Sequence, residues 1–184
     1  MNIDTLPSDI RQLFDHFAQM AMLSDCLPDA ETPMGMLTRE FLQNNWKNCR
    51  DGLLRQTNRI RVWPEPSPYP RVFKFEIDRQ FTRKMAPDAA VELVPGPVRG
   101  TIFYRPDVLL ASEYASVAVA LDADQAFFHP NFSRRKGFLC LGELPPAAIP
   151  LDLLLENLIF PILSYQNRRP AHAFDHEAAA YFAL

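Results

Sequence analysis

Five short segments that favour β-strands follow one another between residues 59 and 121, with no helical pattern between them. Residues 59–63 and 72–77 alternate apolar and charged side chains, which is typical of strands with one buried face. The proline-rich stretch between these two segments is predicted to be a turn or an extended loop. Strands in this order favour an antiparallel meander with helices packed on one side, an α+β layout. The other three strand segments are residues 91–94, 100–104 and 116–121.

Helical patterns precede the strands. Ser8 can cap a helix over residues 10–17, where apolar side chains recur at helical spacing. After a proline-containing break, a second helical repeat of apolar residues runs from 36 to 53. Both apolar stripes are predicted to make core contacts rather than to form a groove for a partner.

Two further helices are predicted after the strands. Residues 151–163 are apolar almost all round, so this helix is expected to be buried. Pro150 suits its first turn, and Pro161 is expected to kink or end it. Asp175 can cap a last short helix, with Glu177 in the first turn, where a negative charge complements the helix dipole.

The composition fits one globular, soluble domain with a proper core. The chain has 184 residues, of which 48% are hydrophobic and 22% charged, and its formal net charge is −3. No basic stripe is present, which argues against a nucleic-acid-binding protein. The first residues carry neither a basic start nor an apolar run, so no signal or transit peptide is expected. The apolar run over residues 151–163 is too short to span a membrane.

Three cysteines are scattered along the chain: Cys26, Cys49 and Cys140. Their spacing fits neither a disulfide framework nor a zinc site, which indicates a reducing, cytoplasmic environment where a catalytic thiol stays usable. His172 and His176 stand four residues apart, a spacing also found in metal sites, but no further ligand accompanies them. No metal is therefore expected.

The triplet His129, Pro130, Asn131 precedes Cys140 by one loop. A free cysteine between apolar residues is usually an inert core residue, and His-Pro-Asn alone is a turn signal. Together they place a thiol near a neutral side-chain amide, and acyl transfer through a thioester requires such a nucleophile and such an oxyanion donor. The loop also carries a basic cluster, residues 134–136, interpreted as a solvated loop tip; the alternative is a contact for an acidic partner.

This stretch closely resembles the active-site segment of the ubiquitin-conjugating enzymes. That family has a His-Pro-Asn triplet, a short loop with a Gly, and a Cys-Leu pair whose thiol accepts a ubiquitin-like protein. A buried helix and a last helix follow in the same order here, so the resemblance covers residues 127–182. It implies the family fold: a leading helix, a four-stranded antiparallel sheet, the active-site stretch, then helices. Residues 1–35 would be an N-terminal helical extension and residues 36–184 the catalytic domain.

Several positions depart from the family pattern. The step from Asn131 to Cys140 is one residue longer than usual, and Gly142 stands where Asp is common. The loop at residues 167–172 is not acidic, although the corresponding loop in the family usually is. Such divergence is similar to that of bacterial relatives, which are encoded beside an activating enzyme, a ubiquitin-like protein and a deconjugating peptidase, often in antiphage systems.

The resemblance also implies a mechanism. Cys140 accepts the C-terminal acyl group of a ubiquitin-like protein from an activating enzyme and passes it to an amine, a lysine of a protein target. Asn131 donates to the oxyanion, and His129 braces the loop. His172 either orients or deprotonates the amine or is an exposed loop residue. No cofactor, metal or nucleotide is needed at this step, since ATP is consumed upstream.

Two other functions are compatible with the sequence. A cysteine hydrolase could use Cys140 as its nucleophile and His172 as its base, with water as the acceptor. A non-catalytic scaffold could bind a ubiquitin-like protein, although inactive variants of the family usually lack the cysteine. None of the three functions predicts a nucleic-acid or membrane partner.

Overall fold

The computed structural model describes residues 27–110, 116–134, 137–141, 146–165 and 173–183. Within these residues the chain is a mixed α+β structure with a long leading helix, a four-stranded antiparallel sheet and helical segments near the C-terminus. The helix predicted over residues 10–17 lies outside the described part.

Six strands form two sheets in the described chain. We number the strands β1 to β6 in chain order. The first, second, fifth and sixth strands form the main antiparallel sheet in that order, and the third and fourth form a separate hairpin. The antiparallel meander and the five predicted strands are confirmed. The short third strand is absent from the prediction, because three residues are too few to show an alternating pattern. The strands are β1 (Ile60–Pro64), β2 (Val72–Ile77), β3 (Phe81–Arg83), β4 (Glu92–Val94), β5 (Val98–Tyr104) and β6 (Val117–Leu121).

The first described helix, α1 (Pro33–Asp51), confirms the second helical repeat of the sequence. The Thr32 side chain accepts a hydrogen bond from Gly35 N at 3.0 Å, which satisfies one of the free donors of the first turn. α1 starts just before residue 36, where the catalytic domain is predicted to begin. A short helix, α2 (Leu53–Gln56), links it to the sheet.

The long helix after Cys140 is continuous but irregular, and we call it the central helix (151–163). It consists of α3 (Leu151–Leu154), a π-helical turn (Leu155–Ile159) and α4 (Phe160–Leu163).

Three details of the central helix differ from the prediction. Pro161, expected to kink or end the helix, does not end it, because the helix continues to Leu163; a wide π turn, which is a helix irregularity, lies just before the proline. The helix is not buried all round, since Leu153 and Glu156 are exposed. Pro150 stands one position before the first turn rather than inside it.

The core lies between one face of the main sheet and the helices. In β1 the side chains of Ile60 and Val62 are buried, whereas Arg61 is exposed. The Asn45 side chain accepts a hydrogen bond from Leu151 N at 2.6 Å and so ties α1 to the central helix. Fully buried core residues include Leu42, Cys49, Phe73, Ile77, Ile102, Leu154 and Ile159.

The last described helix is α5 (His176–Phe182). The Asp175 side chain accepts a hydrogen bond from Ala178 N at 3.0 Å, and Glu177 lies in the first turn, so the predicted cap is confirmed. Over the described residues, no helix is long and apolar enough to cross a membrane.

Candidate active site

Residues 131–134 and 137–140 lie beside each other as two arms, which we call the Cys140 turn. Phe132 and Leu139 pair across it in an antiparallel bridge. Near its tip Gly137 N donates to Ser133 O at 2.7 Å, and Gly137 has a φ of 75°, a conformation that favours glycine. The chain therefore folds back on itself between the triplet and the cysteine.

Asn131 and Cys140 face each other at the open end of this turn. Cys140 N donates to Asn131 O at 2.6 Å, and Asn131 Nδ2 donates to Cys140 O at 3.5 Å. Asn131 is buried, and its Oδ1 accepts no hydrogen bond from the residues that the structure describes. Cys140 is partly exposed. The structure thus brings together Asn131 and Cys140, the two residues that the sequence singles out.

The arm of the turn that leads to Cys140 lies against β6. Leu121 N donates to Gly137 O at 2.9 Å, and Leu139 N donates to Val119 O at 2.8 Å. This arm extends the hydrogen bonding of the main sheet beyond its last strand. The position of Cys140 is therefore fixed by backbone contacts of the residue before it.

His129 lies at the base of the turn with its side chain fully buried. Its Nδ1 accepts a hydrogen bond from Asn131 N at 3.0 Å. The ring centroid lies 4.5 Å from that of Tyr165 and 5.7 Å from that of Phe127. An imidazole held in this way orients the backbone of Asn131, which suits a bracing role.

The triplet is also supported by strand β3 and by Tyr165, which follows the central helix; the sequence analysis missed both contacts. The Tyr165 hydroxyl contacts the Thr82 hydroxyl and accepts a hydrogen bond from Thr82 N at 3.0 Å. Thr82 Oγ1 donates to Phe128 O at 2.6 Å, one residue before His129. Burial raises the pKa of Tyr165, while its hydrogen bonds with Thr82 act in the opposite direction. Contacts between such distant residues leave no periodic signal in a sequence.

The C-terminal helix is tied to the triplet by contacts that we call the C-terminal clamp, formed by Pro130, Arg134, Phe174, Asp175 and Glu177. The backbone N–H groups of Phe174 and Asp175 both donate to Pro130 O, at 2.8 and 3.2 Å. Arg134 Nε lies 2.5 Å from Asp175 Oδ2, and the Asp175 side chain is only 6% exposed. The triplet is thereby held by the residues at the start of the C-terminal helix as well as by Tyr165.

Arg134, the first residue of the basic cluster, is exposed, and its guanidinium is also held by contacts within the protein. Its Nη2 donates to Glu177 Oε2 at 2.6 Å, and its guanidinium carbon lies 5.2 Å from the centre of the Phe128 ring. Lys84 binds the same carboxylate. Hydrogen bonds from Lys84 and then from Arg134 lower the pKa of Glu177. Residues 135–136 lie outside the described part.

The second described cysteine, Cys49, differs from Cys140 in its surroundings. Burial, with a smaller contribution from the Asp152 charge, raises the pKa of Cys49 to about 12. A thiol in this state is a poor nucleophile, because the thiolate is the reactive form. Cys26 lies outside the described residues, so of the two cysteines in the described part only Cys140 is open to a partner.

Several predicted features fall outside the described residues. They include His172, the loop at residues 167–172, and Gly142. His176 is the first residue of α5 and is exposed. In the part of the chain that the structure covers, no group of three or more His, Cys, Asp or Glu side chains could hold a metal ion.

The site can supply a partly exposed thiol nucleophile and a side-chain amide donor on a braced backbone. Those two groups suffice for acyl transfer through a thioester, provided that an activated acyl donor is delivered. No protein-family model matches this chain, and no curated protein matches it either. The assignment of chemistry therefore depends on the geometry of the Cys140 turn.

Proposed function

We propose that this protein is a conjugating enzyme for a ubiquitin-like protein, with the fold of the ubiquitin-conjugating enzymes. The observation that carries the proposal is the pairing of Asn131 with the partly exposed Cys140, whose backbone atoms are 2.6 Å apart at the end of one turn. The order of a helix, a four-stranded meander, this turn and a long helix supports the same proposal.

The first step is a transfer between two thiols. The Cys140 sulfur attacks the thioester carbonyl that joins the ubiquitin-like protein to its activating enzyme. The proton of Cys140 is lost, a new thioester bond forms at Cys140, and the activating enzyme's thiol leaves. Backbone pairing of Leu139 with β6 keeps the nucleophile in place during this exchange.

The second step transfers the acyl group to an amine. A lysine nitrogen attacks the Cys140 thioester, an isopeptide bond forms, the amine loses a proton, and the Cys140 thiol leaves. Negative charge develops on the carbonyl oxygen during the attack, and Asn131 Nδ2 is the donor that we assign to it. Its present bond to Cys140 O is long, at 3.5 Å, so little hydrogen-bond energy is lost when the amide turns to the oxyanion.

His172 is the residue that we assign to the amine's proton. No Asp or Glu lies between Asn157 and Asp175 to take the acidic role usual in the family. An imidazole titrates near neutral pH and can accept a proton from the incoming amine. His129 is fully buried and bonded to Asn131 N, so we assign it to bracing and not to proton transfer.

The test is to incubate the protein with a candidate activating enzyme, its ubiquitin-like protein and ATP. Gene neighbours in a bacterial antiphage operon are the first candidates, since we propose that setting from the resemblance. A conjugating enzyme gives an adduct on a non-reducing gel that a thiol reductant removes. Addition of free lysine should then discharge it.

The same assay separates the other two functions. A cysteine hydrolase would release the acyl group to water, so no adduct would accumulate and free lysine would have no effect. A scaffold would bind the ubiquitin-like protein without forming any thiol-sensitive adduct. Either result with an activating enzyme that is itself charged would reject the proposed transfer.

A further inference from the structure

An open cavity of about 610 Å³ lies at the end of the main sheet where β1 begins and β2 ends. Arg59 stands just before β1, and Arg79 and Gln80 follow β2. The cavity is also lined by Gly96, which lies between β4 and β5, and by Tyr165, which follows the central helix. The cavity is thus built from four separate segments of the chain.

The two arginines of this cavity differ from the other described arginines. Every other arginine in the described part donates a hydrogen bond to a carboxylate or a backbone carbonyl. Arg59 and Arg79 form no hydrogen bond through their side chains and no ion pair with described residues. Asp78 also lines the cavity, but its carboxylate is not paired with either guanidinium. Two unpaired cations and one anion leave the lining with a net positive charge.

The backbone that carries these arginines is held firmly. Asp78 N donates to Arg59 O at 2.7 Å, which joins the two strand ends. A Cβ at Gly96 would lie 2.5 Å from Arg79 O, so only glycine lets this connection approach Arg79 so closely. The Arg79 guanidinium carbon lies 5.5 Å from the centre of the Phe160 ring, a cation–π contact that orients the side chain.

We propose that this cavity binds an oxyanion, carried either by a phosphate group or by paired carboxylates. Guanidinium groups donate parallel N–H bonds to both kinds of oxygen pair, and here no protein carboxylate takes that place. The Gln80 side chain can add a neutral donor. The occupant contacts Tyr165, the residue that packs on the His129 ring. The proposal does not depend on the conjugating activity.

The test is a titration of the ¹⁵N-labelled full-length protein, followed by amide chemical shifts at constant ionic strength. The two ligands are inorganic phosphate and the dicarboxylate glutarate, and chloride is the reference ion. The expected result is saturable shifts of the Arg79, Gln80 and Gly96 amides with one of the two oxyanions. Tighter saturation by phosphate assigns a phosphate ligand, and tighter saturation by glutarate assigns paired carboxylates.

Three variants make the result specific. Arg59→Ala and Arg79→Ala should each weaken binding by about tenfold or more, because one charge-assisted contact is lost. Asp78→Asn should tighten it, because the repelling carboxylate is removed. Arg55→Ala removes an exposed arginine from a different surface and should change nothing. Shifts that rise linearly with both oxyanions, or equal affinity in Arg79→Ala and Arg55→Ala, would overturn the proposal.

Discussion

Cys49 and Cys140 show how differently one fold treats two identical side chains. Cys49 lies on α1 with no exposed surface, and burial raises its pKa to about 12. Cys140 lies at the end of a turn, partly exposed, opposite the amide of Asn131. Only the second environment combines access for a protein partner with a donor for a developing oxyanion. Reactivity in this chain therefore depends on the position of the thiol in the fold.

The largest expected contrast is in the alkylation of the two thiols. At pH 8 a thiol with a pKa of about 12 is thiolate in about one molecule in 10⁴. In the folded protein, iodoacetamide should modify Cys140 at least about 10³-fold faster than Cys49, as measured by mass spectrometry of the cysteine-containing peptides. In denaturant the two rates should converge. Equal alkylation rates of Cys49 and Cys140 in the folded protein would contradict the proposed difference in their environments.

The sequence neighbours of the two cysteines point to the opposite burial. Cys49 has polar neighbours, Asn48 and Arg50, yet it is buried, because adjacent residues of a helix point in different directions. Cys140 has the apolar neighbours Leu139 and Leu141, yet it is partly exposed. The helical repeat predicts the burial of Cys49 correctly, whereas no period covers the irregular turn. Local composition around a cysteine was therefore a poor guide to its exposure.

The second contrast concerns the asparagines that accompany the cysteines. Asn131→Ala should still charge at Cys140 but discharge to lysine about 10²–10³-fold more slowly, because one oxyanion donor is lost. Asn45→Ala is the matched control, since Asn45 is a buried asparagine one helical turn from Cys49 that bonds Leu151 N. It should lower stability without changing the ratio of discharge to charging. Single-turnover assays of each step measure that ratio.

An equal loss of charging and discharge in Asn131→Ala would have a different meaning. It would indicate that the Cys140 turn had collapsed, because the variant also loses the bond from Asn131 Nδ2 to Cys140 O.

The sequence predicts the regular parts of the fold and the local parts of the site. Alternating residues reveal the strands, and Asp175 reveals the start of α5. The contact between Tyr165 and His129, and the bonds from Phe174 to Pro130, join residues far apart in the chain. Such contacts depend on how finished elements pack, so no local pattern encodes them. The contacts of Tyr165 and the C-terminal clamp were missed for this reason.

A third test weakens the C-terminal clamp, which holds the triplet that precedes Cys140. Asp175→Asn keeps an acceptor for the helix cap but loses the ion pair with Arg134, which is buried on the aspartate side. We expect the free energy of unfolding in urea to fall by about 1.5–3 kcal/mol, the range for a hydrogen bond to a charged group. Glu177→Gln, at the exposed end of the same clamp, should have a smaller effect. An equal loss in both variants would show that burial does not decide the strength of the clamp.

The smallest effect is a pH dependence at Glu177. Lys84 and Arg134 lower its pKa from the ordinary value of 4.5, so the folded state favours the ionised form. The resulting stabilisation is present above pH 4.5 and is lost as the pH falls through the lower pKa of the folded protein. The difference in unfolding free energy between wild type and Glu177→Gln should therefore shrink on acidification. A difference that stays constant down to about pH 3 would contradict this linkage.

The most direct test of acyl transfer at Cys140 is the intact mass of charged protein in two cysteine variants. With activating enzyme, ubiquitin-like protein and ATP, Cys49→Ala should form an adduct with the summed mass of both proteins less one water. A thiol reductant should remove that adduct. Cys140→Ala should form none, while its circular dichroism stays that of the wild type. A thiol-sensitive adduct that persists in folded Cys140→Ala would contradict the proposed role of Cys140.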